Sequence, residues 1–144
     1  MKPLMDFLES VRHHRLEQER LRMRIAELES RCTKITASLS STPGSGGSDA
    51  QRQWAALADE RTKLTDALRD EIDAAAQVED WIKALPFDPL LIDTLLYRYI
   101  NLLTVPEITR AFERAGTPYS QRQIERFLAA ALAMAWMQWK GEHA

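Results

Sequence analysis

The first forty residues repeat apolar side chains at alternating steps of three and four. The repeat runs through Leu4, Phe7, Val11, His14, Gln18, Leu21, Ile25, Leu28, Cys32, Ile35 and Leu39. A period of 3.5 residues places these side chains on one narrow seam of a helix, which is typical of a coiled coil. Two seam positions, His14 and Gln18, are polar, and polar residues in a seam commonly set the register or the number of helices.

A serine- and glycine-rich segment, SSTPGSGGSD at residues 40–49, interrupts the repeat with residues that favour turns over helices. A second, less regular seam follows, with Arg61 at a position where an apolar residue is due. It runs through Trp54, Leu57, Leu64, Leu68, Ile72, Ala75, Val78, Ile82 and Leu85, and Pro86 ends it. Two arms of matched length joined by a short turn predict a long antiparallel helical hairpin over residues 1–86.

A hairpin of two helices buries only one stripe of each helix, so the sequence predicts that hairpins pair as a homodimer. Leu21, Ile25 and Leu28 of the first seam are the expected interface residues. The last apolar segment, residues 127–137, leads to Trp136 and Trp139, which share one face of a helix. We expect these two tryptophans to lie either in a domain core or in a dimer or docking surface.

Residues 87–144 predict a separate domain of three short helices. The expected start and stop signals are Asp88 before Pro89, Thr104 with Glu107 three residues later, Gly116, and Ser120 before a helix from Gln121 to about Lys140. Two short helices, a glycine-containing turn and a third helix form the order of a helix-turn-helix. The predicted fold is therefore all-α, a coiled-coil hairpin followed by a three-helix helix-turn-helix domain.

The start of the third helix is the candidate site, because in a helix-turn-helix these residues enter the major groove of DNA. The candidate DNA-binding residues are Ser120, Gln121, Arg122, Gln123 and Arg126, with Arg110 and Arg114 from the preceding helix. Arginine recognises guanine, glutamine recognises adenine, and a helix start can hold a phosphate. The alternative interpretation is that these are solvated polar residues at the start of a surface helix.

Three segments together resemble a family of phage-encoded proteins. They are SSTPGSGGSD at residues 40–49, LLYRYINLLTVPEI at 95–108 and YSQRQIERF at 119–127. Members pair an N-terminal coiled coil with a helix-turn-helix similar to the promoter-binding C-terminal region of sigma factors, and ArpU-like regulators of phage late genes are related. The resemblance implies transcriptional control by binding double-stranded DNA inside a bacterial host, with RNA polymerase as a further partner. Relative to the family pattern, the turn at 115–119 carries an insertion, AGTPY, which bears on the recognition-helix angle.

Charge supports a second hypothesis. The chain has a net charge of −2, and residues 87–144 contain six basic and six acidic residues, so strong binding to DNA needs a local basic surface. A module that binds another protein through the coiled coil and the apolar last helix is the main alternative. A small DNA-packaging subunit is a third, although such subunits usually place the DNA-binding part first.

No pattern in the sequence predicts a catalytic, cofactor or metal site. His13 and His14 are adjacent and do not share a helical face, and Cys32 is the only cysteine. Asp66, Asp70, Glu71 and Asp73 are interpreted as a charged outer face. The longest apolar run is about half of the roughly 20 residues that span a bilayer. We therefore expect a cytoplasmic protein that is not an enzyme.

Overall fold

The computed structural model describes residues 1–41 and 47–144, without the side chains of residues 36–48. The helices are α1 (Lys2–Ser41), α2 (Gly47–Lys83), α3 (Pro89–Leu95), α4 (Val105–Arg114) and α5 (Gln121–Glu142), and a π-helical turn, Leu96–Ile100, continues α3. Every regular element among these residues is helical, which confirms the all-α prediction for them. The side chain of Leu39 and most of the turn predicted at 40–49 lie outside the described residues.

Contacts along the chain form two compact groups. One contains Met1–His13 and Ala74–Ala144, and the other contains His14–Asp73. The sequence predicted a domain boundary at residue 86. In this grouping, the start of α1 and the end of α2 belong with α3, α4 and α5. The reason is that a seam shows which face of a helix is buried but not which element covers that face.

The main core of the first group is built from α1, α2, α3 with its π-helical turn, and α5, while α4 packs in a separate cluster. Its fully or almost fully buried side chains are Leu4, Leu8, Val11, Val78, Ile82, Leu85, Leu95, Tyr99, Ile100, Ala131 and Ala135. Three half-buried rings pack against this core and against one another. The Phe7 ring centroid lies 5.8 Å from that of Trp81 and 5.0 Å from that of Trp139, and the two tryptophan rings are 5.6 Å apart. The start of α1 and the end of α5 are thereby joined through aromatic contacts.

The second group, His14–Asp73, contains the C-terminal part of α1 and the N-terminal part of α2. Leu21 and Leu28 are buried, and ion pairs connect His14 Nδ1 with Glu71 Oε2 at 2.5 Å and Glu29 with Arg61 at 2.9 Å. From the first of these ion pairs to the second, the residue number therefore increases on α1 and decreases on α2. The polar seam position Gln18 also reaches Glu71, because its side-chain amide donates to the Glu71 carbonyl oxygen at 3.3 Å.

In the contact between α2 and α1, Glu71 lies where the predicted seam placed Ile72. Ile72 is 41% exposed and Trp54 is 46% exposed, although the predicted seam contained both. The seam prediction is therefore wrong at these two residues. The physical reason is that α2 carries apolar side chains on two faces, which a single periodic pattern merges into one.

A tight bend separates α3 and its π-helical turn from α4. Asp88 caps α3 by accepting a hydrogen bond from the Leu90 amide at 2.9 Å, as the sequence predicted. In the bend, Leu102 adopts a φ of 57°, and the half-buried Arg98 guanidinium donates to the Leu103 carbonyl oxygen at 3.0 Å. This contact holds the chain in the direction from which α4 begins at Val105.

Candidate nucleic-acid interface

The start of α4 is closed by a reciprocal cap. The Thr104 amide and hydroxyl both donate to Glu107 Oε1, at 3.1 Å and 2.9 Å, and the Glu107 amide donates to the Thr104 hydroxyl at 3.4 Å. These bonds from Thr104 hold the pKa of the Glu107 carboxyl below its usual range, with a smaller contribution from Arg110. The capping box predicted from the sequence is confirmed.

The end of α4 is fixed by hydrogen bonds through Gly116. Gly116 has a φ of 85°, its amide donates to the Glu113 carbonyl at 3.0 Å, and the Thr117 amide donates to the Phe112 carbonyl at 3.0 Å. This pair of bonds is a Schellman motif, in which a left-handed residue reverses the chain after a helix. The predicted stop at Gly116 is confirmed, and it sets where the turn to α5 begins.

An aromatic row anchors that turn. The ring of Tyr119 lies 5.4 Å from Phe112 of α4 and 5.1 Å from Phe127 of α5, both edge to face, and Phe112 lies 5.2 Å from Tyr97. Edge-to-face contacts at this spacing stabilise aromatic pairs. The same cluster buries Ile108 and Ile124, which pack α4 against α5. The segment 115–119 therefore supplies one of the side chains that hold the two helices together.

Ser120 and Gln123 cap α5 reciprocally. The Ser120 hydroxyl accepts from the Gln123 amide at 3.2 Å, and Gln123 Oε1 accepts from the Ser120 amide at 2.9 Å. The predicted start of α5 is confirmed, and these atoms of Ser120 and Gln123 are used within the helix. The backbone amides of Gln121 and Arg122, at the first two helical positions, have no acceptor inside the helix and can bind an anion.

Four arginines occupy the exposed surface of α4 and α5. Arg110 and Arg114 are four residues apart on α4, as are Arg122 and Arg126 on α5, and all four are exposed. Residues four apart share one helical face. Across the described parts of the chain, the ion pairs within 4.0 Å include none of these four.

Acidic side chains lie on the same two helices. Glu113 and Glu125 are exposed, while Glu107 is held in the cap of α4. A surface that carries four arginines and two uncommitted carboxylates attracts an anion with modest strength, and added salt weakens that attraction. The surface is therefore suited to weak, salt-dependent contact with a polyanion.

The residues predicted to form an oligomer interface are covered within the chain. Leu21 and Leu28 are 6% and 3% exposed, and Ile25 is half-buried. Trp136 and Trp139 are half-buried against the core of the first group, and the Lys140 ammonium lies 5.5 Å from the Trp136 ring centroid. An oligomer contact through these residues stays a prediction. The large apolar side chains that are more exposed than these lie at other positions of the described chain.

Sequence reasoning missed the packing role of Tyr119, which it treated only as part of an insertion and as the first residue of a motif shared with the phage family. An apolar residue directly before a helix cap often packs against the first turns of that helix, and this signal was available in the sequence. It also missed the outer surface of α5, where Met134 and Met137 are 42% and 65% exposed. The run of apolar residues at 127–137 hid this surface, because a helix that is apolar on all sides gives no periodic signal.

Searches of family models, curated proteins and solved structures find no match to this chain. Among the described side chains, no group of three or more His, Cys, Asp or Glu residues is placed to hold a metal ion. Nor does the described part of the chain include a helix of the length and apolarity needed to cross a membrane.

Proposed function

We propose that this protein binds double-stranded DNA through a helix-turn-helix formed by α3, α4 and α5, with α5 as the recognition helix. In the same proposal, α1 and α2 form a long antiparallel hairpin that dimerises the protein, and the protein regulates transcription in the manner of phage late-gene regulators. The observation that carries the proposal is the exposed pair Arg122 and Arg126 directly after the capped start of α5.

The local geometry supports this assignment. The first turns of a recognition helix must present side chains and free amides to DNA while the opposite face is buried. Ile124 is fully buried and packs with Phe112, so Arg122 and Arg126 lie on the side away from α4's core contacts. Arginine can bind guanine with two hydrogen bonds or pair with a phosphate.

The charge distribution limits the expected affinity of one domain. A dimer that places two such domains on one duplex raises the total affinity through the effective concentration of the second site. We therefore expect weak binding to short duplexes that hold one half-site and tighter binding to duplexes that hold two.

The test is selection of bound duplexes from a random-sequence library by the folded full chain, followed by affinity measurements across a salt series. Wild-type protein should enrich one motif, and removing one phosphate-binding side chain should reduce the slope of log K against log salt by about 0.9. Arg122→Ala with Arg126→Ala should abolish enrichment or reduce that slope by about 2. The matched control is Arg15→Ala with Arg22→Ala, two exposed arginines of α1, which should leave binding unchanged.

A protein-binding module is the second candidate function. The observation that favours it is the exposure of Met134 and Met137 on α5, next to the exposed Ala130 and Ala133. Exposed methionines on a helix suit adaptable contacts with another protein. Absence of any enriched DNA motif at low salt, from protein shown to be folded by circular dichroism, would overturn the DNA-binding proposal and favour this one.

A further inference from the structure

Helix α2 carries an apolar row on the face beside its contact with α1, which we name the outer row. It consists of Trp54, Ala58, Arg61, Thr65, Leu68 and Ile72. The steps between these residues are four, three, four, three and four, which is the spacing of a coiled-coil seam. Leu57 and Leu64 belong to a second, less exposed row on α2. Leu68, a member of the outer row, also borders this second row.

The ends of the outer row are its most exposed large apolar side chains. Trp54 and Ile72 are 18 residues apart, which is five helical turns, so they point in the same direction about 27 Å apart along the helix. They are 46% and 41% exposed. Leu16 and Met23 of α1 are more exposed, at 65% each, but the charged residues Glu19 and Arg20 separate them.

A groove of about 660 Å³ runs beside the outer row between α2 and α1. Trp54, Ala58, Arg61 and Thr65 line it from α2, and Glu29, Cys32 and Thr33 line it from α1. The groove and the row together form a long surface on which the small residues Ala58 and Thr65 alternate with larger ones. A helix fits such a surface, because its side chains can interdigitate with alternating large and small positions.

We infer that the outer row of α2 packs antiparallel against the outer row of a second copy of this chain. This inference rests on the dimer in the proposed function and identifies the surface that forms it. With the two rows aligned in opposite directions, Trp54 faces Ile72 of the second copy, Ala58 faces Leu68, and Arg61 faces Thr65. Each contact occurs twice because the arrangement is two-fold symmetric.

Charge selects this direction. In a parallel pair, Arg61 would face Arg61 of the second copy across the seam, and like charges at that distance repel. In the antiparallel pair, Arg61 faces a neutral threonine and keeps its own ion pair with Glu29 at 2.9 Å.

The charged side chains that line the groove are also balanced, since Arg61 pairs with Glu29 and Arg69 lies 3.9 Å from Asp66. A surface with equal numbers of positive and negative groups matches a copy of itself. A strongly acidic or strongly basic partner would leave half of these charges opposed by like charge.

The first test is the mass of the full chain in sedimentation equilibrium from about 1 to about 100 µM, a range over which mass action shifts a dimer. Wild-type protein should reach twice its chain mass of 16.5 kDa. Trp54→Glu with Ile72→Glu should stay at the single-chain mass, with helical circular dichroism retained. The matched control, Leu16→Glu with Met23→Glu, adds the same charge at exposed apolar positions outside the row and should leave the dimer intact.

The second test gives the direction of packing. In a Cys32→Ser background, a mixture of Arg61→Cys chains and Thr65→Cys chains should form a disulfide between the two variants under mild oxidation. Arg61→Cys chains alone should cross-link less, because two-fold antiparallel packing offsets these positions by about one helical turn. Preferential cross-linking of Arg61→Cys with itself would overturn the antiparallel arrangement.

Other outcomes separate this inference from the proposed function. Wild-type protein at the single-chain mass at every concentration would overturn the inference, and so would a dimer that survives Trp54→Glu with Ile72→Glu. Neither outcome removes DNA binding, which the duplex selection measures independently through Arg122 and Arg126.

Discussion

The backbone amide of Ser120 donates to the side-chain oxygen of Gln123 at 2.9 Å, while the Ser120 hydroxyl accepts from the amide of Gln123 at 3.2 Å. The sequence suggested that both residues contact DNA, and the cap uses the same atoms for the helix itself. Besides the acidic Glu125, the exposed polar side chains with no such use on the first two turns are Gln121, Arg122 and Arg126. In the proposed function, these three carry the contacts with bases, while Ser120 and Gln123 set the position of the helix.

A substitution at Ser120 should lower the stability of the protein only where it removes the side-chain oxygen that accepts from the Gln123 amide. Ser120→Ala removes the acceptor for the Gln123 amide, so the free energy of unfolding should fall by about 1 kcal/mol. Ser120→Asp keeps a good capping oxygen and should remain close to wild type. Urea unfolding followed by circular dichroism measures both. Equal losses for alanine and aspartate would show that the loss does not come from the missing capping oxygen, which would contradict the role given to the Ser120 hydroxyl.

Gly116 and Gly141 provide a matched pair of glycine-to-alanine changes. An added Cβ meets no atom within 4 Å at either position, so steric contact does not distinguish them. Gly116 has a φ of 85°, and a left-handed alanine costs about 1–2 kcal/mol. Gly141 lies in α5, where alanine favours the helix by less than about 1 kcal/mol near an end. Gly116→Ala should therefore lower the melting temperature, and Gly141→Ala should raise it or leave it unchanged.

Tyr119 should contribute to stability through its ring and not through its hydroxyl. Tyr119→Ala removes edge-to-face contacts with Phe112 and Phe127, each worth about 0.5–1.5 kcal/mol beyond the buried area. Tyr119→Phe retains the ring, so its unfolding midpoint in urea should match wild type. A large loss for phenylalanine would assign the effect to a polar contact of the hydroxyl and contradict the role given to the aromatic row.

Local signals predicted the helix boundaries well, because a cap depends on residues close in sequence. Thr104 with Glu107, and Gly116 after α4, act as the sequence indicated. The partner of each seam was not predictable from periodicity. A seam at Leu4 and Val11 looks the same whether the covering element is α2 alone or a core that also includes α5.

The sequence was enough to predict which residues of the candidate site are exposed. It was not enough to predict which of them make hydrogen bonds within the protein. The exposure of Arg122 and Arg126 follows from helical periodicity once Ile124 is buried. The commitment of Gln123 to the cap did not follow, because glutamine serves both as a base-contacting residue and as a capping-box partner. The two rows on α2 were merged for a related reason, since Leu68 is part of both patterns.

The capping box of α4 should make stability depend on pH through Glu107. Its pKa lies below the usual range, chiefly because the Thr104 amide and hydroxyl donate to its carboxylate. A carboxyl whose pKa is lower in the folded state stabilises that state above its unfolded pKa, and the contribution is lost as pH falls through the folded pKa. Glu107→Gln retains an acceptor oxygen for the cap but cannot titrate. The melting temperature of wild type should therefore exceed that of Glu107→Gln at about pH 7, and the difference should shrink toward about pH 3. A difference that stays constant over this range would show that the charge of Glu107 has no part in holding α4, and that the cap acts through neutral hydrogen bonds alone.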